Sequence, residues 1–462
     1  MQLKFLGAAK GVTGSCFSLS TKDEQILIDC GMFQGGKDME RLNYENFDFD
    51  PRKYNAMILT HAHLDHCGRI PKLVRYGFKG KIYATPATKD LALVILMDAA
   101  KIAAEDTENE NRRRARDGLP PRKPIYNEID VRNAMKLFVA VEYCQDVKIS
   151  QNIFARFYDA GHILGAASVQ IKVNEKKKSS LIVFSGDLGK PDAVLVSNTE
   201  PIAKADYVVI ESTYGDKLHP PVEIRKKELI RIINEAYKKG GKLLIPSFAI
   251  ERAQEIIYCI GEYMRDGLIP KMKVFLDSPM AIKATDVFIK YSNSFNSNVQ
   301  KSIAKKRDPF DFPGLIRTVS IDESKTINDL TEPCIVIAGN GMCTAGRIKH
   351  HIRNGIGNPK NTLLFIGYQA NGTLGYWLKK GEKRVRLLGT EVDVNAKIES
   401  IDSFSAHADY TGLISWLEYF SPKPKKIFIV HGDEEQSVAF SKRIGKKGFV
   451  SCVPSLGEVF EM

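Results

Sequence analysis

The chain has 462 residues, 44% hydrophobic and 26% charged, enough to bury full cores in two or three domains and too balanced for long disorder. An apolar run such as 91–97 is too short to cross a bilayer, the N-terminus lacks a signal-peptide layout, and eight cysteines form no C-x-x-C pair, so a membrane helix, a secretory leader and a disulfide framework are not expected, and a cytoplasmic protein is. The net charge of +12 favours a polyanionic partner.

In chain order, residues 25–31 read as a buried strand ending in a turn. Residues 56–60 read as a second strand that runs straight into His61, and 81–84 as a third. Helical spacing covers 90–105, with Leu91, Val94, Ile95 and Ala99 on compatible faces. Residues 105–127 carry Arg112, Arg113, Arg114 and Arg116 ahead of Gly118, Pro120 and Pro121, and read as a charged helix end and surface loop with solvated arginines. Strands resume at 154–158, 168–173, 180–185 and 207–210, with a lysine-rich turn over 174–179. From about residue 215, helices at 221–239 and 251–265 alternate with strands at 242–246, 273–277, 333–338 and 362–366, which indicates a separate α/β domain. β character returns near 397–404, and a last strand over 425–430 ends at His431.

The densest chemistry follows the second strand. His61-Ala62-His63-Leu64-Asp65-His66 puts four ligand-type side chains within six positions. With nine histidines in 462 residues, chance gives such a run in about 4 chains of 10,000. Three imidazoles this close repel when protonated and compete for partners when neutral, so a metal suits them better than a packed core does. Imidazole is a zinc ligand, and a carboxylate can bridge two ions. On a turn leaving a strand, His61 and His63 can converge on one ion while Asp65 and His66 face another. Two ions need more ligands, and two other strand ends carry them, in Asp159-Ala160-Gly161-His162 and in Ser185-Gly186-Asp187.

Asp29, the H-x-H-x-D-H run, His162 and Asp187 stand in the order of the four motifs of the metallo-β-lactamase superfamily, which roughly the first two hundred residues resemble. The resemblance implies an αββα sandwich with two zinc ions per chain. It implies His61, His63, His162 and Asp187 on one zinc, and Asp65, His66 and Asp187 on the other, with Asp187 bridging. Asp29 would orient a ligand without touching metal.

The last expected ligand, His431, comes far beyond Asp187, with the α/β domain between them. This resembles the β-CASP branch of the superfamily, whose members process nucleic acids. Its three further motifs are matched by Glu211 in Ile210-Glu211-Ser212-Thr213, by His407 in Phe404-Ser405-Ala406-His407-Ala408-Asp409, and by His431 in Ile429-Val430-His431-Gly432-Asp433. A histidine at the third is similar to the RNA-directed members, whereas DNA-directed ones carry an apolar residue there. The resemblance thus covers the whole chain and extends to the cleavage and polyadenylation endonuclease subunit and its short prokaryotic relatives. It implies an α/β fold with a metallo-β-lactamase domain over 1–211 and 391–462 and a β-CASP domain over 212–390. The chain starts at its first catalytic-domain strand and ends soon after His431, so the additional RNA-binding and C-terminal domains of longer relatives are not expected.

The function expected is hydrolysis of RNA. Water activated between two zinc ions would attack phosphorus in line, with Asp65 among the catalytic ligands. His407, oriented by Glu211, would act as general acid. His431 would complete the second zinc. The resemblance implies 5′-phosphate and 3′-hydroxyl products, and both endonuclease and 5′ exonuclease action fit. RNA is the expected partner, with no membrane; homodimers are common in the family. Ser247, Arg252, Thr344 and Arg347, at two strand-to-helix turns, are the candidate substrate contacts. His219, His350 and His351 match no motif and are expected at the surface. A small-molecule ester or thioester hydrolase of the same fold, and a catalytically silent RNA-binding subunit, are the alternatives.

Overall fold

The computed structural model describes residues 1–462 except Lys176, Lys177, Tyr368, Ala370, Asn371, Asp402 and Ser403. The centre of the lysine-rich turn over 174–179 therefore lies outside the described residues. The chain forms two compact units. One comprises residues 1–193, 198–218 and 407–462, the other 194–197 and 219–406.

In the first unit, two seven-stranded sheets stack face to face. Side-chain alternation sorts each strand into two faces. Ile182, Phe184, Val209 and Phe428 of one sheet share a core with Phe5, Phe17, Ile26, Ile28 and Ile58 of the other. The intervening Val183, Val208, Ile210, Ile427 and Ile429 point the opposite way. They pack on Leu413, Trp416 and Leu417 of the helix Tyr410–Leu417 and on Phe440 and Ile444 of the helix Glu434–Lys446. On the other sheet, Leu27, Met57 and Ile82 are also fully buried on the face turned from the shared core. Strands buried on both faces read as continuous apolar runs, and the result is the αββα sandwich.

Strand direction gathers the functional residues. Gln25–Ile28, Ala56–Ile58 and Lys81–Ala84 run parallel in one sheet. Lys178–Phe184, Tyr207–Glu211 and Lys426–Val430 run parallel in the other. Ile153–Asp159 shares their direction, because two antiparallel pairings through Ala167–Glu175 restore it. Asp29, His61, His162, Asp187, Glu211 and His431 consequently sit at or just beyond strand carboxyl ends, the usual place for a site in parallel α/β sheets.

The helix expected over 90–105 extends from Pro86 to Arg116. Thr85 caps its start by accepting from the Thr88 amide, and Pro86 occupies the first helical position, where no N–H is needed. No glycine or proline interrupts it before Gly118, so the charged stretch from Glu105 to Arg116 is the helix end, and the surface loop follows it. Arg112 pairs with Glu108 one turn back at 2.6 Å.

The second unit holds a six-stranded parallel sheet. Its order is Leu315–Arg317, Lys273–Leu276, Cys334–Ala338, Lys242–Pro246, Thr362–Phe365 and Lys397–Ser400. Leu244, Val336, Leu363 and Phe365 pack against Ile348 and Ile352 of the helix Ile348–Gly355. Lys397–Ser400 is an edge strand here, so the chain is still within this sheet at residue 400.

Candidate metal centre

His61, His63, His162 and Asp187 bring one ligand atom each to within 4.8 Å of one another, and so do Asp65, His66 and His431. His61 Nε2 lies 3.1 Å from His63 Nδ1, which lies 3.2 Å from His162 Nε2. His66 Nε2 lies 3.1 Å from His431 Nε2, which is 3.3 Å from Asp65 Oδ2. Asp187 faces both groups. Its Oδ2 is 3.4 Å from His61 Nε2 and 3.5 Å from His162 Nε2, while Oδ1 is 3.3 Å from His66 Nε2.

Neighbouring residues set which ring nitrogen faces inward. The Thr60 hydroxyl and amide donate to Asp29 at 2.9 and 2.8 Å, and His66 Nδ1 donates to the same carboxylate at 2.8 Å. Thr60 Oγ1 also lies 3.1 Å from His61 Nδ1. Thr213 plays the same part for His431, its hydroxyl 3.2 Å from Nδ1. A proton held on Nδ1 leaves Nε2 with its lone pair toward the centre, and such supports tune metal affinity. Thr60 and Thr213 were not singled out in the sequence. Thr60 becomes recognisable only when the parallel register pairing Ile28 with Ile58 sets it beside Asp29.

Backbone economy places the loops. Gly31 lies against the Asp65 carbonyl so closely that a Cβ there would stand 1.5 Å from the oxygen, and Gly189 meets the Gly161 carbonyl at 1.7 Å in the same sense. Asp29 and His431 both adopt left-handed backbone, with φ of 58° and 49°.

The electrostatics fit cations. Burial pushes His61 down to about 4, His63 down to about 3, and His162 well below its usual value, so three neutral imidazoles converge. Burial opposes charge on His66, but Asp187 and Asp29 outweigh it and hold the ring well above its ordinary value. Asp187 is likewise held low against burial, by His431 and His66. Asp187 Oδ1 is buried without a hydrogen-bond partner. Lone pairs pointed at one another across about 3 Å in a dry pocket are costly unless an ion sits among them. The donor set, imidazole and carboxylate, suits zinc.

Beside this pocket lies a second device. His407 Nδ1 is 3.1 Å from both oxygens of Glu211, which is fully buried. The Leu188 amide donates to Glu211 Oε1 at 2.7 Å and the Thr213 amide to Oε2 at 3.3 Å. A β-bridge between Gly189 and His407 ties this device to the loop of Asp187. Burial works against charge on His407, yet Glu211 and then Asp187 raise it to about 9.

The four candidate substrate residues lie in the second unit and are differently engaged. Thr344 is exposed, its hydroxyl 3.3 Å from Asn340 Oδ1. Ser247 is buried and donates to the Phe248 carbonyl. Arg252 is buried and ion-paired with Glu255. Arg347 donates to Asp277 Oδ1 at 2.6 Å and to the Thr318 and Val319 carbonyls. The expectation of a surface His351 is corrected. It is 3% exposed and its Nε2 lies 2.6 Å from Asp277 Oδ2, a contact that only the fold of the sheet could create.

Three family profiles match the chain: the metallo-beta-lactamase superfamily over residues 9–129, the Beta-Casp domain over 253–378, and the Zn-dependent metallo-hydrolase RNA specificity domain over 391–454. A ribonuclease of Thermus thermophilus is 35% identical over 99% of this chain and 99% of its own. An RNase J-like protein of Methanocaldococcus jannaschii is 34% identical over 96% of this chain and 95% of its own. The transcription termination factor FttA of the same organism is 31% identical over 97% of this chain and 70% of its own. Among solved structures, a protein of unknown function from Enterococcus faecalis superposes with a TM-score of 0.56 at 13% identity over 99% of both chains, a likeness of fold.

Proposed function

Because the chain belongs to the β-CASP branch of the metallo-β-lactamase superfamily, we propose that it is a zinc-dependent ribonuclease that hydrolyses phosphodiester bonds to leave 5′-phosphate and 3′-hydroxyl ends. Relatives named ribonuclease and RNase J-like support RNA as the substrate. The observation that carries the mechanism is the buried Glu211 carboxylate holding His407 beside the ligand cluster.

His61, His63, His162 and Asp187 would hold one zinc ion, and Asp65, His66, His431 and Asp187 a second. Zinc bound by these residues would supply acidification of a water and neutralisation of phosphate charge. The chain's own residues do the rest. Asp29 keeps a proton on His66 Nδ1 and so fixes its ligating nitrogen. Glu211, locked by two backbone amides, keeps a proton on His407 Nδ1. His407 then delivers a proton from Nε2 to the departing 3′ oxygen. The shared β-bridge keeps His407 in register with Asp187 as the bond breaks.

The test uses purified protein and RNAs labelled at either end, with 5′ triphosphate, monophosphate or hydroxyl, beside matching DNA. Cleavage of RNA that a chelator abolishes and zinc restores is the expected result. A His407→Ala variant should keep its zinc and lose turnover. Efficient ester hydrolysis with no cut RNA would refute the reading.

A further inference from the structure

The helix Pro86–Arg116 ends in an exposed, strongly charged arm that the mechanism does not use. It begins beside the loop of His162, where the Thr85 and Thr88 hydroxyls donate to the Gly165 carbonyl at 2.7 and 2.8 Å. At about 1.5 Å per residue, Arg113 stands about 40 Å along the helix from that end. From Ile102 to Lys123 the only buried residue is Thr107, so packing on the sandwich does not account for this stretch. Its charge is sorted along the chain. The base carries Glu105, Asp106, Glu108 and Glu110; the tip, residues 112–123, carries Arg112, Arg113, Arg114, Arg116, Arg122 and Lys123 against Asp117 alone.

One or two cations complement the negative end of a helix dipole, whereas a crowd of them repels itself. The fold nevertheless fixes this crowd in place. Gly118 turns the chain back in left-handed backbone, with φ of 69°. The Arg122 amide then donates to the Asn111 side chain at 2.7 Å, the Asn111 side chain to the Arg122 carbonyl at 2.9 Å, and Arg114 Nε to the Pro120 carbonyl at 2.7 Å. Arg112 and Arg122 pair with Glu108 and Glu110 at the base, in exposed contacts that hold them weakly. Arg113 and Arg116, one turn apart on the same face, are exposed, and their side chains make no ion pair or hydrogen bond among the described residues. Both line an open groove of about 1450 Å³ between the arm and residues 38–45. Glu40, Asp106 and Glu110 gather instead around Tyr44, which leaves the tip end of the groove to positive charge.

We propose that the arm tip is a second RNA contact, where Arg113 and Arg116 bind the phosphate backbone of a strand whose other part lies at the metal centre. This rests on the ribonuclease reading above. Guanidinium forks match the phosphates that such a strand repeats. At about 3.4 Å per stacked nucleotide, a strand needs about 12 nucleotides to reach from the start of the helix to Arg113. The contact is therefore made by long RNAs and missed by short ones.

Two double variants test this, Arg113→Ala with Arg116→Ala and Arg113→Lys with Arg116→Lys. Each is made in the full zinc-loaded chain carrying His407→Ala, so that RNA is bound uncut. Single strands of about 6 and about 30 nucleotides, one too short to bridge and one long enough, are titrated at several salt concentrations. The alanine pair should bind the long strand about tenfold more weakly at low salt, with the logarithmic salt slope shallower by about 1.4, the loss of two phosphate contacts. It should bind the short strand as its parent does. The lysine pair should keep the slope, since the charges remain. Unchanged affinity and slope on the long strand would overturn the proposal and leave the tip to an acidic protein partner. An equal loss on both lengths would overturn it as well, because a general effect of charge would then replace the bridged contact. RNA cleavage by the chain with His407 intact separates the two readings. If it cleaves while the alanine pair binds the long strand normally, only the arm inference fails; if it neither binds nor cleaves RNA, both do.

Discussion

Replacing Glu211 with Gln isolates what one buried charge does for His407. The carboxylate meets three donors: the Leu188 amide, the Thr213 amide and His407 Nδ1. A glutamine of the same shape must turn its NH2 toward one of them, where donor faces donor. That costs on the order of 1–3 kcal/mol in a dry site. More important, His407 loses the first of the charges that raise it to about 9. A positioned general acid contributes on the order of 10²–10⁴-fold, so kcat on RNA should fall about 100-fold or more with KM little changed. His407 is raised in the folded protein, so its acid form is present below its pKa and is lost as pH rises through it. The alkaline limb of the rate profile should therefore move to lower pH in the variant. The assay is steady-state cleavage of labelled RNA across pH, with zinc counted per chain. A kcat within about threefold of wild type and an unmoved limb would refute the role of Glu211. So would loss of zinc, which would place Glu211 among the ligands.

Asp29→Asn should weaken zinc binding about 10–100-fold through the lost support of His66 Nδ1, measured by chelator competition; equal affinity would show that the Thr60 hydroxyl, 3.5 Å from the same nitrogen, orients the ring alone. Burial pushes the Asp159 carboxyl up to about 7, so its stabilising effect is full below pH 4 and lost as pH rises through 7. Denaturant unfolding at pH 5 and pH 8 should show a larger drop for wild type than for Asp159→Asn, and equal drops would contradict that assignment. Arg347→Ala removes one donor from the fully buried Asp277. His351 still meets the other oxygen, so the loss should be about 1–3 kcal/mol of stability, with RNA affinity per folded molecule little changed; a stable variant with weak, less salt-sensitive binding would support Arg347 as a substrate contact.

How much was legible in the sequence depended on how local each signal is. The run from His61 to His66 needs no fold to be noticed, because its ligands share one turn. The strands at 207–210 and 425–430 declare themselves by continuous apolar character, and Glu211 and His431 by standing at their ends. Charge beyond Glu105 says solvent but not shape, so it left open where the helix gives way to loop; Gly118 sets that end. His351 looked like one more surface histidine because its partner, Asp277, is brought to it by sheet packing.

The sequence alone determined the chemistry on offer: which side chains can hold zinc, which can carry a proton, and in what order they come. The tertiary structure decided which atoms of those side chains face inward. Parallel strand ends bring Asp187 between the two ligand groups, and Asp29, Thr60 and Thr213 choose the ring nitrogen that His66, His61 and His431 present. The same holds for proton transfer, where Glu211 reaches His407 across nearly two hundred residues of chain. Ligand type is a local property of the chain, whereas tautomer, distance and dielectric are set by neighbours that only the fold assembles.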